Sequence, residues 1–208
     1  LTSVTVRPPP RTFTAANLSA AQTVTVTGVD DAVADGPIGY AIVTAPAASA
    51  DGNYSGLDAS DVAATTTDDD VAGITASPTA GLTTTEAGGV ATFTVVLTSQ
   101  PTADVSIGLS SADLTEGTVA PASLTFTAAD WNTPQTVTVT GVDDAVADGP
   151  IAYTIATATA VSADPNYSGR DPVDVAVTNT DDDVAGFTVT PTAGLTTTEA
   201  GGTATFTV

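Results

Sequence analysis

QTVTVTGVDDAVADGPI occupies residues 22–38, and the same letters return at residues 135–151. In both places Val alternates with Thr before the chain runs into Asp, Gly and Pro. That is the pattern of a strand with one apolar and one hydroxylic face, closed by a turn. Working outward, residues 21–95 align without a gap to 134–208 at an offset of 113, with 59 of 75 positions identical. At the same offset LTSVTVRPPPRTFTAANLSA (1–20) lies over LTEGTVAPASLTFTAADWNT (114–133), at lower identity. A period of 113 residues is too long for a solenoid unit and has the size of a sandwich domain.

If each unit ends at its Asp-Asp-Asp run, residues 71–183 are a complete repeat. Residues 1–70 are then the C-terminal part of a first repeat, and 184–208 the N-terminal part of a third. The linkers Val71-Ala72-Gly73 and Val184-Ala185-Gly186 leave little room for independent tumbling, which predicts end-to-end stacking. A chain opening on Leu1, with no initiator Met and no signal peptide, reads as a window of a longer array. The partial repeats need partners: neighbouring repeats, or other copies of the chain by strand addition.

Inside the complete repeat, short alternating runs are separated by turn signals. Ala91, Phe93, Val95 and Leu97 share one strand face, as do Val105, Ile107 and Leu109. Leu124 and Phe126 follow, then Val137 and Val139, then Ile151, Tyr153 and Ile155, then Val173, Val175 and Val177. Six or seven strands with a Thr/Ser-rich outer face predict an antiparallel, all-β sandwich. Nowhere does a 3.6-residue period persist.

The chain has 208 residues, 24 of them acidic against three arginines (Arg7, Arg11, Arg170), and a net charge of −21. Nucleic acid is excluded as a partner, because phosphate contacts need basic groups. The same shortage argues against anionic membrane surfaces, and no run is long enough to insert in a bilayer. His, Cys, Met and Lys are all absent, which removes hydrolytic triads, thiol and Schiff-base chemistry and zinc sites. No enzymatic activity is expected. Paired carboxylates such as Asp143 and Asp144 sit on one turn and do not flank a scissile bond.

Trp131, the one tryptophan, is read as a packing residue, and Tyr54 and Tyr167 as anchors of the matched loops 51–56 and 164–169. Asn53-Tyr-Ser and Asn166-Tyr-Ser have the form of glycosylation sequons.

Half of the acidic residues fall in two repeated motifs. One is Asp-Asp-x-x-x-Asp after a strand (Asp30, Asp31, Asp35; Asp143, Asp144, Asp148). The other is Asp-Asp-Asp at the repeat end (Asp68, Asp69, Asp70; Asp181, Asp182, Asp183). Adjacent carboxylates repel, and the arginines are too few to offset them. They are either fully solvated turn residues or ligands of a hard cation, for which Ca²⁺, with six to eight oxygen ligands, is the natural choice. Glu86, in the Thr-Glu-Ala-Gly-Gly turn, has the position to complete such a set, and Glu199 is its counterpart 113 residues on.

The succession TEAGG at 85–89, a strand entering VDDAVADG at 142–149, and a last strand ending VTNTDDD at 177–183 resembles the Calx-beta domain. That family is an immunoglobulin-like sandwich of sodium–calcium exchangers, an integrin subunit and large bacterial surface proteins, and the resemblance covers the whole repeat. It implies calcium at one end of the domain, held by Glu86, by Asp143, Asp144 and Asp148, and by Asp181, Asp182 and Asp183. Asp113 matches an acid in the loop after the third strand. The sequence departs from the pattern at Asp148, where a Glu is usual, and in the Gly-Pro that follows. The resemblance implies a structural or adhesive module of a secreted or cell-surface protein, a calcium-stiffened rod or filament. The other functions it leaves open are a regulatory calcium sensor and a glycan-binding adhesin module.

Overall fold

The computed structural model describes residues 9–208; Arg7 and the rest of residues 1–8 lie outside the described part. Twelve strands are present among the described residues: β1 (Ile38–Ile42), β2 (Val62–Thr66), β3 (Ile74–Ser77), β4 (Leu82–Thr85), β5 (Val90–Leu97) and β6 (Val105–Ser111), then β7 (Gly117–Ala120), β8 (Ser123–Phe126), β9 (Gln135–Gly141), β10 (Ile151–Thr157), β11 (Val161–Ser162) and β12 (Val175–Thr180). No helix interrupts them among the described residues, and the fold is all-β.

From β3 to β12 the strands form two sheets. One has the order β3-β5-β9-β7, the other β11-β6-β10-β12-β4 with β8 also paired to β6. Every pairing is antiparallel except that of β12 with β4, which run parallel with Val177 opposite Leu82 and Thr180 opposite Thr85. Between the sheets lies one core: Phe93, Val95, Leu97, Val105, Ile107, Leu109, Leu124, Phe126, Val137, Val139, Tyr153, Ile155, Val175 and Val177. These are the apolar positions of the alternating runs, as period-two geometry requires. Trp131 packs against this core, and its carbonyl accepts the Leu97 N–H at 3.1 Å.

Two details differ from the periodicity. The repeat holds ten strands instead of six or seven: the short β3, β4, β7 and β11 carry no alternating apolar run. Val173, expected on the inner face, is 67 % exposed. Its strand starts only at Val175, since the preceding Asp174 carboxylate is turned to the Thr157 N–H at 2.8 Å, and the Pro172 carbonyl accepts the Thr157 hydroxyl.

Residues 9–70 do not close a sandwich of their own. Their only strands form the hairpin β1–β2, whose five residue pairs, Ile38 with Thr66 through Ile42 with Val62, reproduce β10–β12 at an offset of 113. Residues 184–208 contain only isolated bridges such as Thr190 with Thr207. Tyr167 is fully buried, with its hydroxyl donating to the Ser99 carbonyl at 2.6 Å, whereas its counterpart Tyr54 is 61 % exposed.

One end of the sandwich is locked by buried polar groups. The Thr84 hydroxyl donates to Asn179 Oδ1 at 2.9 Å and lies 3.2 Å from the Tyr153 hydroxyl, and Asn179 Nδ2 donates to the Val142 carbonyl at 3.0 Å. Space for this network comes from Gly117 and Gly141, which face each other across β7–β9. A Cβ on Gly117 would fall on the Tyr153 ring, and one on Gly141 on the Thr85 carbonyl and the Asn179 side chain. Gly141→Ala should therefore destabilise the sandwich by about 1–3 kcal/mol, as overpacking against backbone does. Denaturant unfolding of the chain and the variant measures this; an unchanged midpoint would show that the end is loosely packed.

Candidate metal centre

The locked end is where the acids gather. Parallel pairing of β4 with β12 carries Glu86 beside the residues that leave β12: the Glu86 N–H donates to the Thr180 carbonyl at 3.0 Å. The β7–β9 ladder ends with Gly117 opposite Gly141, so Glu116 reaches this end next to the Asp143–Asp144 loop, and the Val142 N–H donates to the Glu116 carbonyl at 3.0 Å. The loop from Val142 to Gly149 is fastened to the terminal acidic run by the Gly149 N–H, which donates to Asp181 Oδ2 at 2.6 Å.

Three sets of carboxylates converge there: Glu86, Asp181 and Asp183; Glu86, Asp143 and Asp182; and Glu116, Asp144 and Asp148. Within each set the ligand oxygens lie within 4.8 Å of one another. Oxygens bound to one Ca²⁺ at roughly 2.4 Å are at most about 4.8 Å apart, so each set has the dimensions of part of a calcium shell. A fourth set, Asp30, Asp69 and Asp70, repeats the arrangement in the first part of the chain. The Asp35 loop there is fastened in the same manner, with the Gly36 N–H donating to Asp68 Oδ2 at 2.6 Å.

Chemically, the donor set suits a hard cation. Glu86 is only 2 % exposed, and its one backbone partner, the Asp182 N–H, is 3.4 Å away. Asp183 Oδ2 is buried with no hydrogen-bond partner at all. Orphaned buried carboxylate oxygens are costly unless something positive meets them. Burial pushes the Glu86 carboxyl up; the Asp182 N–H opposes this, and the charges of Asp181, Asp144 and Asp148 add to the rise. Asp183 is raised by burial first, then by Asp181, Asp182, Asp143 and Asp144. Asp181 goes the other way, held low by the N–H groups of Gly149 and Asp183. Asp68 and Asp70 show the same split, the first lowered by the Asp70 and Gly36 N–H groups, the second raised by burial and its acidic neighbours.

Of the sequence-designated residues, Glu86, Asp143, Asp144, Asp148 and Asp181–Asp183 come together. Asp113 stands outside the converging sets: its carboxylate takes the Thr115 hydroxyl at 2.6 Å and the Thr115 N–H at 3.0 Å, and these bonds hold its carboxyl low. Glu116, three residues on, is the acid from that segment that reaches the site. Glu199 is exposed on a bridged turn, Thr198 with Gly202, outside any converging set among the described residues. Asp31 and Asp35 line, with Asp68–Asp70, a cavity of about 830 Å³ closed on its other side by Thr102 and Asp164–Asn166.

No known family profile matches this chain, and no curated protein matches it. Among solved structures, it is similar to WR4, a Caenorhabditis elegans MSP family member, at 13 % identity and TM-score 0.36, covering 51 % of this chain and 95 % of that one. The Escherichia coli chaperone DraB aligns at 9 % identity and TM-score 0.37, over 56 % of this chain and 58 % of its own. Domains 4 and 5 of the S-layer protein SbsC align at 22 % identity and TM-score 0.34, over 59 % of each chain. The all-β assignment stands on the strands themselves.

The pKa directions set a pH dependence. Carboxyls raised in the fold stabilise it while protonated, and that contribution is lost as pH rises through the folded pKa. Glu86 and Asp183 therefore destabilise the cation-free protein at neutral pH. Asp181 and Asp113, held low, stabilise above the ordinary carboxylate range and lose that contribution as pH falls through their folded values. In chelator, acidification from neutral pH should first raise the melting temperature, as Glu86 and Asp183 take up protons, and then lower it once Asp181 and Asp113 do so. A monotonic fall on acidification would show that Glu86 and Asp183 carry no electrostatic strain.

Proposed function

We propose that this chain is part of a calcium-binding structural array: tandem immunoglobulin-like sandwiches with a 113-residue period, resembling Calx-beta domains, in an extracellular or cell-surface protein. The observation that carries the calcium reading is the buried Glu86, shared by two converging carboxylate sets, together with the partnerless Asp183 Oδ2 in one of them. Glu86 with Asp181 and Asp183, and Glu86 with Asp143 and Asp182, would hold cations on either side of one shared glutamate; Glu116, Asp144 and Asp148 would hold another. Acids so closely spaced repel without an ion and become mutual ligands with one, so the ion orders the segment that leaves the sandwich.

The array reading rests on the offset of 113, under which the 1–70, 71–183 and 184–208 segments are successive pieces of one repeat. The matching register of β1–β2 and β10–β12 supports it. Partners for the two partial copies are neighbouring repeats or other copies of the chain by strand addition. Among the described residues no helix is long and apolar enough to cross a membrane.

Extracellular calcium modules bind at about 10⁻⁴–10⁻³ M, so about 1 mM calcium should add roughly 0.4–1.4 kcal/mol per site. Thermal unfolding of the chain in calcium and in chelator reads this as a rise in melting temperature. The Asp144→Asn, Asp182→Asn double variant, with one acid removed from each of two sets, should lose most of the rise. If calcium leaves the unvaried chain unchanged, or the double variant responds equally, these acids are solvated turn residues.

A further inference from the structure

The loop that carries Asp30, Asp31 and Asp35 does more than hold acids. Between them, Ala32 and Ala34 present their carbonyls to the opposite end of the sandwich. The Gln100 N–H donates to the Ala32 carbonyl at 2.6 Å, Asn166 Nδ2 donates to the Ala34 carbonyl at 2.8 Å, and Ala34 packs against the core. The receiving surface is rigid. Next to Gln100, Ser99 is bound through its N–H, hydroxyl and carbonyl to the buried Tyr167 hydroxyl, and next to Tyr167, Asn166 is fixed by its own N–H to Asp164 Oδ1 at 2.8 Å. The linker is fixed too, since Ala72 is in the core, the Thr98 N–H donates to the Gly73 carbonyl and the Thr98 hydroxyl to the Val71 carbonyl.

The identical loop Ala145–Val146–Ala147 has the same internal bonds without a partner. Val33 N–H to Asp31 Oδ1 (2.9 Å) is repeated by Val146 N–H to Asp144 Oδ1 (2.7 Å), and the 2.8 Å bond of Asp35 N–H to the Val33 carbonyl by that of Asp148 N–H to the Val146 carbonyl. Here, however, Val146 is 58 % exposed and Ala147 is exposed, whereas Val33 and Ala34 are half-buried.

We propose that Ala145–Ala147 is a preformed knob whose occupant is the Gln100/Asn166 end of another copy of this sandwich, giving a head-to-tail joint at every repeat boundary. Continuity with the joint already formed by Ala32–Ala34 names the partner. A knob at one end and a socket at the other make a heterologous contact, which propagates linearly and does not close into a dimer. Two hydrogen bonds and a small apolar patch make a weak joint on their own; a short, anchored linker supplies the effective concentration that keeps it closed. The partner assignment rests on the array reading above. Calcium is not required by it, because the joint uses backbone carbonyls and leaves the carboxylates to the ion.

Since the chain has no Cys, single Val33→Cys and Val146→Cys variants report exposure by their rate of maleimide labelling. In the present chain Val146→Cys should label about tenfold faster than Val33→Cys, and adding Asn166→Asp or Ala34→Arg should raise the Val33→Cys rate about tenfold without moving the sandwich's melting temperature. Appending a second copy of residues 96–183 after Val208 completes the third repeat; there Val146→Cys should slow to the Val33→Cys rate, and Ala147→Arg should restore it. Equal rates for the two variants in the present chain, or no effect of Asn166→Asp and Ala34→Arg, overturn the joint. Fast Val146→Cys labelling in the extended chain overturns the knob at the second boundary. Each arm is run in calcium and in chelator: labelling that follows the prediction while calcium leaves the melting temperature unchanged keeps the joint and removes the calcium reading.

Discussion

Parallel pairing of β4 with β12 is the constraint on which the acidic end depends. Antiparallel strands joined by a hairpin bring together residues close in sequence, but this pair joins the first and last parts of the sandwich, and its register is held from inside by Thr84 and Asn179. Slipping β4 by one residue along β12 would turn Thr84 to the other face of the sheet and strand it from Asn179 and Tyr153. Held in place, it delivers Glu86 to the acids that follow Thr180. Asn179 has a second task, since its amide also reaches Glu116 Oε2 at 3.4 Å and ties that acid to the same register.

Such a cluster of acids is costly by itself. Two of its carboxyls are raised by burial and by their neighbours, and one is held down by backbone N–H groups. The split is physically reasonable: Asp181 is spent on fastening the Gly149 loop, while Asp183, two residues on, has an oxygen with nothing to accept from. A fold stabilised only by its own contacts would gain by replacing Glu86 with an apolar residue, as buried unpaired charges usually cost more than they return. Sequestering these acids is understandable as preorganisation for a cation, with the core between the sheets carrying the cost.

Much of this was legible beforehand because the repeat reads the same pattern twice. The alternation of Val137 and Val139, or of Phe93, Val95 and Leu97, places the core directly, and the two Asp motifs mark the acidic end. Short elements were not legible: β4 and β7 have four residues each, and they are the ones that bring Glu86 and Glu116 to the site. Asp113 enters only through the resemblance, by its place in the loop after the third strand, and Glu116 has no counterpart in that pattern. Hydrogen bonding decided otherwise, since an Asp two residues before a Thr folds back on its own turn. A better signal was present: Glu116 is one of three glutamates and directly precedes Gly117, whose lack of a side chain marks a close approach. Val173 failed for a related reason, because alternation cannot show where a strand begins when Asp174 is taken by Thr157.

The loop at residues 30–36 carries three carboxylates and, between them, the two carbonyls that reach the following sandwich. Asp30 converges with Asp69 and Asp70, Asp31 accepts the Val33 N–H, and the carbonyls of Ala32 and Ala34 face the next sandwich. The loop is folded by its own bonds, Val33 N–H to Asp31 Oδ1 and Asp35 N–H to the Val33 carbonyl, and the small Ala32 and Ala34 let the backbone approach its partner closely. An ion that draws the carboxylates together on one side would stiffen the peptide whose carbonyls make the joint on the other. Conversely, a joint that pins those carbonyls reduces the entropy the acids lose on gathering around an ion. If the loop binds an ion, each event would favour the other by the same free energy, as linkage demands.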